Sequence, residues 1–155
     1  MSGARQIGTL AYSLHPIAQS SRQYRVLSLR RNLVNVTSVL IVDDSLLIRR
    51  LLRAALTESE WITCEEAENG REGIVKAQEV RPDVIILDLA MPEMNGLQTA
   101  RVLKRIMPTT PLLMFTSHLV PNLEEEAISA GIRRVISKSD GSPAVVSAIR
   151  SLLAA

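Results

Sequence analysis

The chain has 155 residues, of which 46% are hydrophobic and 22% are charged. This composition is typical of one globular domain with a substantial core, and it excludes a wholly disordered chain or two domains of ordinary size. No apolar run approaches the roughly 18 residues that span a bilayer, and one Trp, two Tyr and one Phe offer too few rings for stacking on nucleic-acid bases. The single cysteine cannot form an internal disulfide, which favours a reducing compartment. We therefore expect a cytoplasmic protein that binds neither membrane nor nucleic acid.

The first 36 residues differ from the remainder in charge. They contain five arginines and no acidic residue, whereas residues 37–155 contain 13 basic and 16 acidic residues. The segment rich in arginine and serine is compatible with an organellar transit peptide, but a disordered extension or an upstream start codon requires fewer assumptions. We predict that residues 1–36 are a basic disordered extension and that residues 37–155 are the folded domain.

From residue 37 onward, apolar segments of strand length alternate with segments of helical spacing. The predicted strands are 38–42, 61–65, 83–87, 111–115 and 134–137. The predicted helices lie near 47–55, 70–80, 95–107, 122–130 and 143–153. This alternation predicts an α/β fold with a doubly wound, five-stranded parallel sheet that is covered by helices on both faces.

Capping residues and an apolar stripe define several helix boundaries and faces. Apolar residues recur at helical spacing along one side of the first helix, and this pattern places Arg49, Arg50 and Arg53 on the side away from the core. Gly131 is predicted to end the fourth helix in a left-handed conformation. Ser142–Pro143 is predicted to begin the fifth helix, with serine as the cap and proline in the first turn.

Polar side chains follow the ends of the predicted strands. In a doubly wound sheet these ends share one edge, where ligands bind in the crevice at which strand order reverses. The residues concerned are Asp43, Asp44, Asp88, Thr116, Ser117 and Lys138. Each alone is explained as a helix cap, a turn residue or a solvated side chain, but these separate explanations do not account for their convergence.

The chemistry of this set is specific. Three neighbouring carboxylates repel one another unless a cation intervenes, and Mg²⁺ is a hard cation that prefers oxygen ligands. A lysine and two hydroxyl groups on the same edge complete a cage for a phosphoryl group. A carboxylate within that cage would act as the nucleophile and form an acyl phosphate.

These residues lie in motifs that resemble the receiver domain of two-component response regulators. The motifs are "VLIVDDS" at 39–45, "PDVIILDLAMPEMNG" at 82–96, "TS" at 116–117 and the lysine at 138, and the resemblance covers roughly residues 38–153. It implies a five-stranded, flavodoxin-like (βα)5 fold and a stand-alone receiver similar to chemotaxis regulators.

The resemblance implies a role for each site residue. Asp88 would be the phosphoacceptor, with a phosphohistidine on a sensor histidine kinase or a histidine phosphotransfer protein as the donor. Mg²⁺ would be held by Asp44, by Asp43 largely through water, by Asp88 and by the backbone carbonyl of Ala90. The phosphoryl oxygens would contact the switch hydroxyl of Thr116, Ser117 and the ammonium group of Lys138.

Two positions depart from the usual pattern of the family. Three residues before Lys138 the family usually has an aromatic residue that turns inward on activation, and here that position is Val135. After the lysine the family generally has a proline with a cis bond, and here it is Ser139. Because a cis bond before another residue costs about 2.5–4 kcal/mol, we expect a trans bond and a differently shaped loop. The phosphorylation chemistry is expected to be intact and the transmission of the signal to be altered.

No output domain is expected, because the chain ends at Ala155, directly after the fifth helix. The resemblance implies a signalling domain rather than a turnover enzyme, one that binds a downstream protein or forms a homodimer through the fourth helix, fifth strand and fifth helix. One alternative is a pseudo-receiver adaptor that is not phosphorylated. The other is a phosphotransferase of the haloacid dehalogenase type, although such enzymes use a D-x-D arrangement and Asp43 and Asp44 are adjacent.

Overall fold

The computed structural model describes residues 36–154. The predicted basic extension, residues 1–36, therefore lies outside the described residues except for its last position. Within the described range, no helix is long and apolar enough to cross a membrane.

Five parallel strands form one sheet in the order β2-β1-β3-β4-β5. The strands are β1 (Thr37–Val42), β2 (Ile62–Ala67), β3 (Val84–Leu87), β4 (Leu112–Thr116) and β5 (Ile132–Ser137). Residues 39–42 and 84–87, in the central strands β1 and β3, are all buried, as expected for a parallel sheet covered on both faces. Strand order reverses between β1 and β3, so a ligand crevice is expected at their carboxyl ends.

Five helices cover the two faces of the sheet. They are α1 (Leu46–Thr57), α2 (Gly70–Val80), α3 (Gly96–Ile106), α4 (Leu123–Ser129) and α5 (Gly141–Leu153), with a single 3₁₀ turn at Lys138–Asp140 before α5. One core cluster packs α1 and α5 against the sheet through side chains such as Leu56 and Ile149, and the other packs α2, α3 and α4 through side chains such as Leu103. Each fully buried leucine stabilises the fold by roughly 1.5–3 kcal/mol. The predicted doubly wound, flavodoxin-like fold is confirmed.

The strands form where the sequence predicts them, with shifted ends. β2 continues to Ala67, and β5 begins at Ile132, two residues before the predicted start. The pairing of β4 with β5 is irregular between Leu112 and Leu113, so β5 has one residue more than a regular ladder requires. Charged residues interrupt the apolar runs in these two edge strands, so the sequence pattern predicts strands that are shorter than the observed ones.

Two predictions about the helices were wrong and one is confirmed. Gly131 follows α4 with a φ of 93°, as predicted. α5 begins at Gly141, before the predicted Ser142–Pro143, because the preceding 3₁₀ turn leads directly into the helix. Arg49, which was expected to face away from the core, is only 9% exposed because its guanidinium pairs with Glu66 on β2.

Candidate functional site

Asp43 and Asp88 follow directly after the two central strands. Val42 and Leu87 are register partners in β1 and β3, so the two aspartates leave the sheet side by side, at the spacing of about 4.8 Å between neighbouring strands. Asp44 joins them, and one carboxylate oxygen from each aspartate lies within 4.8 Å of the other two. Asp43 and Asp88 are 2% and 4% exposed, whereas Asp44 is open to solvent. The three predicted carboxylates therefore form one cluster.

Lys138 reaches this cluster from the end of β5. Its Nζ lies 2.7 Å from Oδ2 of Asp43 and 3.3 Å from Oδ1 of Asp88. The turn that carries it is held by Ser137, whose hydroxyl oxygen accepts the N–H of Ser139 at 3.2 Å and lies 2.7 Å from the Ser139 hydroxyl. The described residues contain no cis peptide bond, so the Lys138–Ser139 bond is trans, as expected. A trans turn thus delivers the lysine to both buried aspartates.

The backbone and side chain of Asp43 are both fixed by hydrogen bonds. Its N–H donates to the carbonyl of Ala67 at 3.2 Å, and its own carbonyl accepts Nη1 of Arg49 at 2.7 Å. Its Oδ1 accepts the N–H of Ser45 at 2.8 Å, while the Ser45 hydroxyl caps α1 by accepting the N–H of Ile48. Ser45 therefore caps the helix, and the two aspartates before it are available for the cluster.

The electrostatics of the cluster follow from burial and charge. Burial raises the pKa of the Asp88 carboxyl, the Asp43 carboxylate raises it further, and Lys138 only partly offsets both effects. For Lys138, burial alone would lower the pKa, but the hydrogen bond and charge of Asp43 and the charge of Asp88 outweigh it, so the pKa is raised. The lysine is therefore firmly cationic, and its charge does not fully compensate the two buried acids.

The cluster has the donor set that a divalent cation requires. Oδ1 of Asp88 is buried, and no hydrogen bond of acceptable geometry reaches it from the described residues, although Lys138 is within ion-pair distance. A buried carboxylate oxygen without such a bond is unusual in proteins, and hard cations are bound by oxygens of this kind. The side chains that would hold Mg²⁺ are Asp43, Asp44 and Asp88. Ala90, whose carbonyl was predicted as a further ligand, lies two residues after Asp88 in an exposed part of the loop.

The loop after Asp88 is closed by Gly96 at the start of α3. The N–H of Gly96 donates to the carbonyl of Leu89 at 2.9 Å, and a Cβ on this glycine would lie only 2.2 Å from the carbonyl oxygen of Asp88. Asn95 caps α3 and forms a capping box with Gln98. Glycine is therefore required here because the backbone of the phosphoacceptor candidate passes directly beside the helix.

Thr116 and Ser117 lie at the same edge of the sheet as the cluster. Leu87 pairs with Met114, so β4 ends at Thr116, beyond the level of the last residue of β3. The Thr116 side chain is fully buried, and its hydroxyl oxygen accepts the N–H of His118 at 3.1 Å, whereas Ser117 is exposed. The structure thus clusters Asp43, Asp44 and Asp88, brings Lys138 into contact with Asp43 and Asp88, and leaves the two hydroxyl groups at the same edge of the sheet.

Sequence reasoning missed Arg49, Glu66 and Gly96 as supports of the site. An apolar stripe assigns Arg49 to the solvent side of α1, whereas the buried residues of this helix are Arg49, Leu52 and Leu56. The signal that could have found the ion pair is the position of Glu66 at the end of β2, which neighbours β1. Knowledge of strand order is needed to use it.

Comparisons with known proteins agree with this geometry. The family model of the response regulator receiver domain matches residues 39–150. The chemotaxis protein CheY of Thermotoga maritima is 33% identical over 114 residues, which are 74% of this chain and 95% of that protein. A structure of the chemotaxis protein CheY4 of Vibrio cholerae superposes with a TM-score of 0.69 at 30% identity and covers 75% of this chain and 98% of that one.

Longer relatives share only this domain. The protein-glutamate methylesterase/protein-glutamine glutaminase of Archaeoglobus fulgidus is 39% identical over 105 residues, which are 66% of this chain but 30% of that enzyme. The matched part is therefore less than a third of the enzyme.

Proposed function

The chain belongs to the response regulator receiver domain family, and from this premise we propose that residues 37–155 form a receiver that is phosphorylated on Asp88. The observation that supports the proposal most directly is the position of Lys138, whose ammonium group lies within 3.3 Å or less of both buried aspartates. An acid cluster alone is common on protein surfaces. A buried acid cluster with a lysine in contact is the charge arrangement that phosphoryl transfer requires.

In the proposed reaction, a carboxylate oxygen of Asp88 attacks the phosphorus of a phosphohistidine. The P–N bond of the donor breaks, its electron pair remains on the imidazole, which takes up a proton, and an acyl phosphate forms on Asp88. Lys138 would hold the negative oxygens of the phosphoryl group, and Asp43, 2.7 Å from its Nζ, would keep it in position. Mg²⁺ bound by Asp43, Asp44 and Asp88 would supply further positive charge against the carboxylates and the phosphoryl oxygens.

The proposed switch begins at Thr116. Its buried hydroxyl accepts a hydrogen bond from the His118 backbone, so it must turn its proton toward an acyl phosphate to respond to phosphorylation. Such a movement would alter the β4–α4 loop and shift the protein between existing conformers. Val135 has no aromatic ring to follow this movement, so we expect the loop itself to carry the signal.

We propose that the altered surface binds a downstream protein, or a second copy of this chain, through α4, β5 and α5. The donor would be a sensor histidine kinase or a histidine phosphotransfer protein. Phosphorylation and partner binding would both take place in the cytoplasm. The proposed effect of phosphorylation is a change in the affinity for a partner, so the domain would act as a signalling protein and not as a turnover enzyme.

The test is incubation of the purified protein with Mg²⁺ and acetyl phosphate, followed by intact mass measurement. We expect one phosphoryl group on the wild type. We expect none when EDTA is present during the incubation and none on the Asp88→Asn variant. Protein that stays unmodified with acetyl phosphate and with phosphohistidine donors would support the adaptor that is not phosphorylated. Continuous release of phosphate from small esters would instead support the haloacid dehalogenase type of activity.

A further inference from the structure

Arg49 is a charged residue of α1 that lies inside the site rather than on the surface. It is 9% exposed, and its two described contacts point to different partners. Nη1 donates to the main-chain carbonyl of Asp43 at 2.7 Å, and Nε lies 3.2 Å from Oε2 of Glu66. One guanidinium group therefore connects the end of β1 with the edge strand β2.

The guanidinium is held in this orientation from the side of β2. The carboxylate of Glu66 accepts hydrogen bonds from both Arg49 and Arg53, and its main-chain carbonyl accepts the ammonium group of Lys76 from α2. Because these contacts come from two helices, Glu66 is a fixed anchor. Arg49 can therefore hold the Asp43 carbonyl in one position.

The contact with Arg49 completes the restraint of Asp43. Its main-chain N–H is bound to β2 through Ala67, and its two carboxylate oxygens accept the N–H of Ser45 and the ammonium group of Lys138. The carbonyl is the remaining polar group, and Arg49 occupies it. A residue with all of its polar groups bound has little freedom to rotate its carboxylate away from a ligand.

A purely structural ion pair is the simpler explanation of Arg49, but two observations oppose it. Arg53 already joins α1 to Glu66 from the next turn of the same helix, so the link between α1 and β2 does not require Arg49. The shorter of the two Arg49 contacts, at 2.7 Å, reaches the backbone of Asp43, which is a residue of the acid cluster. The arrangement is that of a support for a ligand-binding carboxylate.

We propose that Arg49 is a positioning residue, which holds the main-chain carbonyl of Asp43 and thereby directs the Asp43 carboxylate toward a bound divalent cation. It touches neither the cation nor the phosphoryl group. The proposal rests on the proposed function, since it concerns the same cation site.

The test compares Mg²⁺ affinities, measured by calorimetry, among variants of the full chain. Arg49→Met removes both contacts and should weaken Mg²⁺ binding by about tenfold or more, the usual effect of losing a partner of a metal ligand. Arg53→Met removes an arginine contact to Glu66 but leaves the Asp43 carbonyl bound, and Arg50→Met alters an exposed arginine of the same helix. Arg50→Met should keep the affinity of the wild type, and Arg53→Met, which only loosens the Glu66 anchor, should weaken binding less than Arg49→Met does.

A second variant keeps the test decisive if Arg49→Met does not fold. Arg49→Lys retains the charge but lacks the fork that reaches two partners, so it should restore part of the Mg²⁺ affinity. The Mg²⁺ concentration that gives half-maximal phosphorylation by acetyl phosphate should increase by the same factor as the dissociation constant.

The outcomes separate this inference from the proposed function. If the wild type binds Mg²⁺ and is phosphorylated, but Arg49→Met and Arg49→Lys melt earlier and bind Mg²⁺ as the wild type does, Arg49 is only structural and the inference is overturned. If the wild type neither binds Mg²⁺ nor is phosphorylated, the proposed function fails and this inference fails with it.

Discussion

The two ends of the proposed signalling route are built differently. The acid site consists of Asp43, Asp44, Asp88 and Lys138. Asp43 and Asp88 are almost completely buried there, and the Asp43 carboxylate is held by Ser45 and Lys138. The β4–α4 groove, a cavity of about 500 Å³ lined by side chains including Leu119, Val120, Leu123 and Val135, is open. Leu119 and Val120 are 60% and 52% exposed there.

This difference indicates how the two regions tolerate change. Phosphoryl transfer depends on positions that are held within a fraction of an ångström, so the acid site requires every support. The groove is open and combines the exposed apolar side chains of Leu119 and Val120 with acidic ones such as Glu124, and a mixed surface of this kind is suited to contact with a partner. We therefore expect substitutions at the acid site to affect stability and chemistry together, and those of the exposed groove residues Leu119 and Val120 to affect neither.

The largest effect is expected from Gly96→Ala. The new Cβ would lie 2.2 Å from the carbonyl oxygen of Asp88, and backbone atoms on both sides must move to relieve the overlap. We expect a loss of about 3 kcal/mol in the free energy of unfolding, measured in urea, together with loss of phosphorylation. Gln98→Ala, which removes one half of the capping box in the same helical turn, should cost about 1 kcal/mol or less and leave phosphorylation intact. Equal effects of the two variants would contradict the close approach.

Lys138→Met should have the next largest effect. It removes the only described cation in contact with both buried aspartates, so we expect the unfolding free energy without Mg²⁺ to fall by about 2 kcal/mol. The phosphorylated form should no longer accumulate. Lys104→Met is the control, because this lysine donates to the carbonyl of Pro108, away from the site. An unchanged phosphorylation yield in Lys138→Met would remove the lysine from the mechanism.

A smaller and pH-dependent effect is expected from Glu66→Gln. Burial raises the pKa of Glu66, but the hydrogen bonds and charges of Arg53 and Arg49 outweigh it and hold the pKa below its ordinary 4.5. A lowered folded-state pKa stabilises the fold fully above the unfolded-state value, and this stabilisation is lost as the pH falls through the folded-state value.

The wild type should therefore exceed Glu66→Gln by about 1 kcal/mol in unfolding free energy at pH 7. The difference should decrease once the pH falls below about 4.5. Urea titrations of both proteins at several pH values measure it. A difference that grows on acidification would mean that the ionised carboxylate is not stabilised by the two arginines.

The smallest effect is expected in the groove. Leu119→Ser should change the unfolding free energy by less than about 0.5 kcal/mol, because the side chain is already mostly in water. Phosphorylation by acetyl phosphate should proceed as in the wild type. A large loss of stability or of phosphorylation would show that the groove and the acid site are not built differently after all.

Much of this organisation could be predicted from the sequence, for a physical reason. Apolar strands alternate with amphipathic helices, and a parallel sheet brings the residues after its strands to one edge. The contact of Asp43, Asp44 and Asp88 therefore follows once the strand ends are located. The trans bond at Ser139 follows from the cost of a cis bond before a residue other than proline.

The supports of the site could not be predicted in the same way. The buried position of Arg49 depends on Glu66, which is 17 residues away and belongs to a strand whose place in the sheet is not encoded in local periodicity. The need for Gly96 comes from a backbone that approaches from β3, and the local sequence around it gives no indication of this approach. Local patterns identify the elements and the reactive groups, whereas contacts between elements determine what holds them.

We propose that the acid site directs one phosphoryl group to Asp88 and not to its neighbours. Reduction of the phosphorylated protein with borohydride, followed by peptide mass mapping, converts an aspartyl phosphate to homoserine at the modified position. We predict homoserine at position 88, and only when Mg²⁺ and a phosphoryl donor were present. Homoserine at position 43 or 44, or no homoserine after full incubation, would rule out Asp88 as the phosphoacceptor.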